Sequence, residues 1–144
     1  MAELHPTLAR DCLPIGRFPL CRVLLMRDAN YPWTILVPDR EGVTEIYQLE
    51  ETDQRQLMRE SSALSQVLVR LFRGDKLNIA ALGNIVPQLH LHHVVRYHGD
   101  PAWPAPVWGH GPPKAYQEGE AAARVCQLAE ALAGVQGFRS VAWD

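Results

Sequence analysis

Runs of apolar residues between positions 17 and 38 predict two β-strands. The first run is Cys21–Met26 and the second covers residues 33–37, and both are rich in valine, leucine and isoleucine, which strands favour. A short link with aspartate, asparagine and proline separates the runs and indicates a turn. The two strands should therefore pair as an antiparallel hairpin. Residues 44–49 form either one more short strand or an irregular lead-in to the next element.

A long helix is predicted over residues 52–72, where apolar positions recur every three or four residues. Thr52 is the expected N-cap, and Asp53 follows it in the first turn, where an acidic side chain is favoured. Gly74 marks the end of the helix. The helix face that should pack against the sheet consists of Leu57, Ser61, Leu64, Leu68 and Leu71.

Two more strands are expected, at Lys76–Ala80 and at residues 89–97, and a loop that contains a glycine joins them. Residues 98–113, which follow, are too rich in proline and glycine for regular structure. Trp103 and Trp108 lie in this segment. They either cap the open end of the sheet or form a lid or a subunit contact.

The predicted order of elements is strand, strand, helix, strand, strand, loop, helix, and the last helix covers residues 117–133. The loops between the strands are too short for the crossovers that parallel strands need. The sheet should therefore be antiparallel and the fold class α+β. A chain of 144 residues with 47% hydrophobic residues is long enough for one domain with a sizeable core, with or without an appendage.

Charge and cysteine content restrict the partners and the compartment. The net charge is −2, which excludes a general polyanion binder, so we expect no nucleic-acid partner. The three cysteines are an odd number without a Cys-x-x-Cys pair, which favours a reducing cytoplasm. The opening residues lack the basic start and apolar run of a signal peptide. The longest apolar stretches are too short to span a bilayer, so we expect no membrane contact.

The most informative segment is Gln-Leu-His-Leu-His-His-Val-Val at residues 88–95. Side chains alternate between the two faces of a strand. One face should carry Gln88, His90 and His92, and the other should carry Leu89, Leu91 and His93. The second face is apolar except for His93, which we interpret as a hydrogen-bonded or peripheral histidine and not as a catalytic one.

Three interpretations of the polar face are open. It is a structural pair of hydrogen-bonded histidines, a metal site, or a site where an imidazole acts as a nucleophile on phosphorus. A cupin-type metal site would need a glutamate downstream, where Arg96 and Tyr97 stand, and no Asp, Glu or Cys follows nearby before Asp100. We therefore assign no metal ligand and no cofactor.

The sequence resembles the histidine triad hydrolases and transferases. Their motif is three histidines that alternate with apolar residues and are followed by two apolar residues. Residues 88–95 follow this motif with one departure, because Gln88 stands where the first histidine belongs. Arg96 follows at the spacing of an arginine common in the family, and Gly83 matches a family glycine just before the motif. The Asp-x-x-Trp-Pro-x-Pro-Val-Trp segment at residues 100–108 is similar to a bacterial subgroup whose motif begins with glutamine.

The resemblance covers roughly residues 15–97 and implies an antiparallel sheet of about five strands, one long helix and a C-terminal helix. It divides the chain into a histidine triad (HIT)-like domain at residues 1–114 and a helical tail at residues 115–144. Members of the family usually form homodimers by joining their sheets, so a homodimer is expected here.

The resemblance also implies a mechanism and a set of site residues. His90 would attack the α-phosphorus of a nucleotide and form a nucleotidyl-imidazole intermediate, which water or another acceptor resolves. His92 would donate to a nonbridging phosphate oxygen, and Gln88 completes the catalytic set. The positions expected to bind substrate are Asp28 at the ribose, with Asn78, Gly83 and Asn84 in or near the loop before the motif.

The glutamine at the first motif position affects proton transfer. An amide does not carry a proton at neutral pH. If this position protonates the leaving group in the family, the protein should be slower with poor leaving groups, and Gln88→His should gain selectively on them. The alternative function is a non-catalytic nucleotide-binding protein of the same fold. Retention of His90 and His92 argues against it, because binding alone does not need a nucleophile.

Overall fold

The structure is a computed structural model that describes residues 2–141, so the expected domain limits at residues 1 and 144 lie outside the described residues. The fold is α+β, as predicted, and its strands form one sheet. The strands are β1 Cys12–Arg17, β2 Cys21–Met26, β3 Trp33–Pro38, β4 Lys76–Ala80, β5 Leu91–Arg96 and β6 Arg139–Ser140. The helices of the described residues are α1 Pro6–Asp11, α2 Glu51–Phe72 and α3 Glu120–Leu132.

All pairings in the sheet are antiparallel, in the order β4-β5-β3-β2-β1-β6. The expected hairpin is β2 with β3. Strand β5 lies between β3 and β4, and its register places His92 opposite Ile35 and His93 opposite Thr34. The sheet has six strands in the described part of the chain, where about five were expected.

The sequence pattern missed β1, β6 and α1. Strand β1 contains Pro14 and Gly16, both poor strand formers, and its pairing with β2 is irregular between these two residues. A side chain at Gly16 would overlap the carbonyl of Arg139 and the ring of Phe138. The glycine is therefore needed so that β6, which has only two residues, can pair beside β1.

Two boundaries near α2 differ from the expectation. The helix begins at Glu51 with Glu50 as its N-cap and no side-chain capping bond, so the prediction of Thr52 as N-cap was wrong. Instead, the acidic side chains of Glu51 and Asp53 in the first turn interact favourably with the positive end of the helix dipole. Residues 44–49 contain a 3₁₀ turn at Ile46–Gln48 and no strand.

The sheet is covered on both faces. On one face, α2 and α3 bury the larger core, and α3 contributes Val125, Leu128 and Leu132 to it. On the other face, Leu8 of α1 and Val107 of the segment 98–113 pack on β2, β3 and β5. The helix beyond residue 114 shares the core of the sheet. The division of the chain after residue 114 stays a prediction.

A buried ion pair fixes the irregular segment 98–113 to the sheet. Arg96, at the end of β5, is 1% exposed and donates to both carboxylate oxygens of Asp100 at 2.7 and 3.0 Å. It also donates to the carbonyl of Ala105 at 2.8 Å. Burial alone would raise the pKa of Asp100, but hydrogen bonds from Arg96 and from the amides of Tyr97 and Trp103 lower it to about 2. The carboxylate therefore stays charged in the folded protein at neutral pH.

No helix in residues 2–141 is both long enough and apolar enough to cross a membrane.

Candidate active site

The first histidine of the site is held by the backbone beside it. The Nδ1 atom of His90 lies 2.7 Å from the carbonyl oxygen of Gln88. A carbonyl only accepts hydrogen bonds, so Nδ1 carries a proton and, in the neutral ring, the lone pair is on Nε2. His90 is 6% exposed and lines a surface cavity. A lone pair on Nε2 is what a nucleophilic imidazole needs.

The second histidine, His92 on β5, has the opposite arrangement. The indole Nε1 of Trp33 on β3 donates to its Nδ1 at 3.0 Å. An indole nitrogen can only donate, so Nδ1 of His92 accepts and the proton of the neutral ring is on Nε2. Burial, with smaller contributions from His90 and His93, lowers the pKa of His92 to about 3. His92 is therefore a neutral imidazole with a fixed N–H donor.

The two imidazoles lie side by side, with ring centroids 4.8 Å apart. Trp33 and Trp108 enclose His92, with their rings edge-to-face to it at 5.7 and 5.2 Å. The two indoles also contact each other edge-to-face at 5.9 Å. Trp108, which the sequence left open between a cap and a lid, thus forms part of the wall beside the histidines. The enclosure explains why His92 is desolvated.

A cavity of about 460 Å³ opens over these histidines. Ile35 of β3 and Val86 of the loop before β5 give it an apolar lining, and α1 contributes a further wall. Its size and its mostly apolar lining with a few polar groups are typical of small-molecule sites. The cavity therefore presents one imidazole lone pair and one N–H donor at the edge of an apolar space.

Two of the expected substrate-binding residues also line this cavity, Gly83 and Asn84. Both lie in the loop between β4 and β5. Gly83 has φ +82°, a left-handed conformation that only glycine adopts at low cost. The loop thus brings backbone groups and the exposed Asn84 amide to the histidines.

The side chain of Gln88 does not line the cavity. Its Oε1 accepts from the amide of His5 at 2.7 Å, and its Nε2 donates to the carbonyl of Glu3 at 3.0 Å. Residue 88 lies in a bend before β5, which begins only at Leu91. The alternation of faces that grouped Gln88 with His90 and His92 therefore does not extend to it. The carbonyl of Gln88 contacts His90, and its amide does not.

Asp28 and Asn78 lie apart from the histidine cavity. Asp28 is buried, and its Oδ1 accepts from the amides of Asn30 at 3.0 Å and Lys114 at 3.2 Å. It lines a smaller depression of about 270 Å³. Asn78 is on β4, where its Oδ1 accepts from Arg96 at 2.8 Å. Their roles in substrate binding stay predictions.

His93 points to the opposite face of the sheet and is fully buried. Its Nδ1 donates to the carbonyl of Leu91 at 3.0 Å, so its Nε2 accepts from the hydroxyl of Ser61 at 2.7 Å. Burial lowers its pKa to about 4. His93 is thus a hydrogen-bonded histidine beneath α2, as the sequence analysis interpreted it.

The residues that sequence reasoning missed are Trp33 and the polar side chains of α1. Trp33 belongs to a predicted strand, but only the register of β3 with β5 places its indole on His92. Thr7 and Arg10 of α1 line the cavity from a helix too short to show a periodic pattern. Within residues 2–141, no group of three or more His, Cys, Asp or Glu side chains is placed to hold a metal ion.

The fold and the site define a class of protein with two histidines of complementary tautomers on an antiparallel sheet, beside an apolar cavity. The sequence model of the HIT domain matches residues 9–99. The chain belongs to the HIT domain family, so the expected resemblance is confirmed. Membership places it among nucleotide-binding proteins, hydrolases and transferases.

Three solved bacterial structures are similar over most of their length. A histidine triad protein from Marinobacter aquaeolei is 54% identical, with a TM-score of 0.89 over 92% of this chain and 97% of that one. Histidine triad proteins from Bradyrhizobium japonicum and Sinorhizobium meliloti are 48% and 41% identical, with TM-scores of 0.84 and 0.88. Each match covers 92% of this chain, and 96% and 98% of those two chains. Among curated proteins, none matches the sequence significantly. The glutamine-first subgroup stays a prediction.

Proposed function

We propose that the protein hydrolyses nucleotides or transfers nucleotidyl groups at the α-phosphorus, through a covalent intermediate on His90. The observation that carries the proposal is the pair of hydrogen bonds that give His90 and His92 opposite tautomers beside one cavity. Two histidines that only stabilise the fold would not need a free nucleophilic nitrogen and a free N–H at the same opening.

In the proposed reaction, the Nε2 lone pair of His90 attacks the α-phosphorus. A P–N bond forms, and the bond to the leaving group breaks with its electron pair on the leaving group. The Nε2–H of His92 donates to a nonbridging oxygen, where negative charge builds in the transition state. Water or another acceptor then attacks the phosphorus and releases its proton to solvent, the P–N bond breaks, and His90 recovers its lone pair. The carbonyl of Gln88 holds the Nδ1 proton throughout.

The remaining parts of the proposal concern assembly and compartment. Strand β4 is an edge strand, and Ile79 on it and Leu82 just beyond it are both about half exposed. An edge strand with apolar residues favours pairing with a second chain. We therefore include a homodimer joined along β4 in the proposed function. We also propose that the protein is located in the cytoplasm.

The test is detection of the intermediate. Wild-type protein mixed with the p-nitrophenyl ester of AMP and quenched in the steady state should carry an adenylyl group on His90, measured by peptide mass spectrometry. The His90→Ala variant should carry no adduct, and its kcat should fall at least about 10³-fold, since the substitution removes the nucleophile.

His98→Ala is the matched control, because His98 is an exposed histidine on the segment after β5. It should keep both the adduct and the rate. Binding of AMP without any cleavage or adduct in the wild type would instead support the non-catalytic nucleotide-binding protein.

A further inference from the structure

The side-chain amide of Gln88 forms hydrogen bonds with a part of the chain that is distant in sequence. We call this part the arm and define it as residues 2–11. The Gln88 side chain bonds the arm at two places, the amide of His5 and the carbonyl of Glu3. The arm is also held at Ala2, whose amide donates to Asp39 at 2.7 Å and whose carbonyl accepts from Arg22. Gln88 is therefore a hydrogen-bonded contact between the arm and the residues that lead directly into the histidine pair.

The arm forms one wall of the histidine cavity. After His5, whose Nδ1 accepts from the amide of Thr7 at 3.1 Å, the chain turns into α1. Thr7, Leu8 and Arg10 of this helix line the cavity, and Leu8 is 4% exposed within the core on that face. The position of the wall thus depends on where His5 is held.

We propose that Gln88 is a positioning residue, which holds the arm as a wall of the substrate cavity and does not act on the reacting atoms. This inference rests on the proposed function and names the residue that shapes the same site. The side chain of Gln88 hydrogen-bonds the arm backbone at His5 and Glu3, whereas His90 donates to the backbone carbonyl of residue 88.

The chemistry of the side chain fits this role. A neutral amide offers an acceptor and a donor at every accessible pH, and the arm presents one N–H and one carbonyl. Histidine titrates near neutral pH, and the protonated ring offers two donors and no acceptor. A histidine at position 88 would then leave the His5 N–H without a partner. Gln88→His should therefore weaken binding of every substrate, in contrast to the selective gain expected from the sequence.

Two readouts test the proposal in the full chain. Hydrogen exchange of the His5 amide measures the protection given by its hydrogen bond to Gln88. KM and kcat for the p-nitrophenyl ester of AMP measure how the cavity wall affects substrate binding and turnover. Gln88→Ala should speed exchange at His5 roughly three- to tenfold and raise KM by a similar factor, as loss of ordinary hydrogen bonds does. The pH profile of kcat should keep its shape. Gln88→Glu, which retains an acceptor for His5 but not the donor to Glu3, should fall between.

Gln66→Ala is the matched control, since it makes the same change at an exposed position of α2, and it should leave both readouts unchanged. A second pair of variants tests the path through His5. His5 has φ −52° and ψ 136°, which proline adopts readily, so His5→Pro removes the N–H, while His5→Ala removes only the side chain. Gln88→Ala should raise KM more in the His5→Ala protein than in the His5→Pro protein, where only the bond to Glu3 is left to lose.

The outcomes separate this inference from the proposed function. A wild-type protein that neither binds AMP nor cleaves the ester contradicts the proposed function and, with it, the role of the wall. If the wild type is active but Gln88→Ala keeps the His5 amide protected and KM unchanged, the positioning role alone is wrong. A Gln88→His variant that gains only on esters with poor leaving groups would likewise overturn it, in favour of a proton-transfer role.

Discussion

At the scale of single residues, the two histidines of the site differ in what their Nδ1 atoms contact. A carbonyl oxygen at His90 forces the proton onto Nδ1, and an indole N–H at His92 forces it onto Nε2. Chemically identical side chains thus present a lone pair and an N–H donor to the cavity. Trp33 sets the tautomer of His92, and it lies outside the motif at residues 88–95.

The first prediction concerns this indole. Trp33→Phe keeps an aromatic ring against His92 but removes the donor, so both tautomers of His92 become accessible. We expect kcat to fall roughly three- to tenfold, the loss of about one ordinary hydrogen bond, with little change in KM. Nitrogen-15 NMR of His92 should show a mixture of tautomers in place of one.

Trp103→Phe is the control, since this indole lies outside the histidine cavity. It should keep the single tautomer and the rate. A Trp33→Phe protein with one unchanged His92 tautomer would show that another group fixes the ring.

At the scale of elements, the segment 98–113 holds its shape without helix or strand. Asp100 is the reason, because its carboxylate accepts hydrogen bonds from Arg96 and from the backbone amides of Tyr97, Ala102 and Trp103. This segment carries Trp108 to the wall of the cavity. A charged pair that is almost fully buried is costly to break, since one partner is left charged and unpaired.

We therefore predict that Asp100→Asn lowers the free energy of unfolding by about 3–5 kcal/mol. Tryptophan fluorescence should shift at lower denaturant concentration than in the wild type. The matched control is Asp53→Asn, which breaks an equally close Arg40–Asp53 pair whose arginine is 45% exposed. There the loss should stay below about 1 kcal/mol. Equal losses in the two variants would contradict the role of burial.

At the scale of the whole molecule, buried neutral histidines on both faces of the sheet set the response to acid. Burial lowers the pKa of His92 to about 3 and that of His93 to about 4, below the ordinary value near 6.5. The unfolded chain therefore binds protons that the folded protein rejects. Stability is complete above the unfolded pKa and falls as the pH drops from about 6.5 towards the folded values.

We predict a loss of roughly 1.4 kcal/mol per pH unit for each of these histidines between about pH 6 and pH 4.5. His93→Gln should reduce the slope by one such increment, because it removes one of the two groups while keeping a partner for Ser61. The measurement is urea unfolding at a series of pH values. The control is His98→Ala, which removes a histidine from an exposed site. An unchanged slope in His93→Gln would mean that His93 is already protonated in the folded state.

The elements that the pattern predicted are those with a clear period. Strands β2, β3 and β4 and helix α2 lie within a residue or so of the expected bounds, and α3 and β5 are shorter than expected. The elements it missed are short or interrupted. Helix α1 has six residues, β6 has two, and β1 carries Pro14 and Gly16. Such elements form because they pack on an existing sheet, which a local pattern does not show.

By itself, the sequence determined that His90 and His92 share a face and that α2 packs on an antiparallel sheet, since these follow from local spacing alone. Only the tertiary structure decided what each polar side chain contacts. Gln88 bonds a residue 83 positions away and Trp33 one 59 positions away. Asp28 accepts from an amide 86 positions away. Hydrogen-bond partners so distant in sequence are set by strand register and loop packing, so they fix the roles of these residues only once the chain has folded.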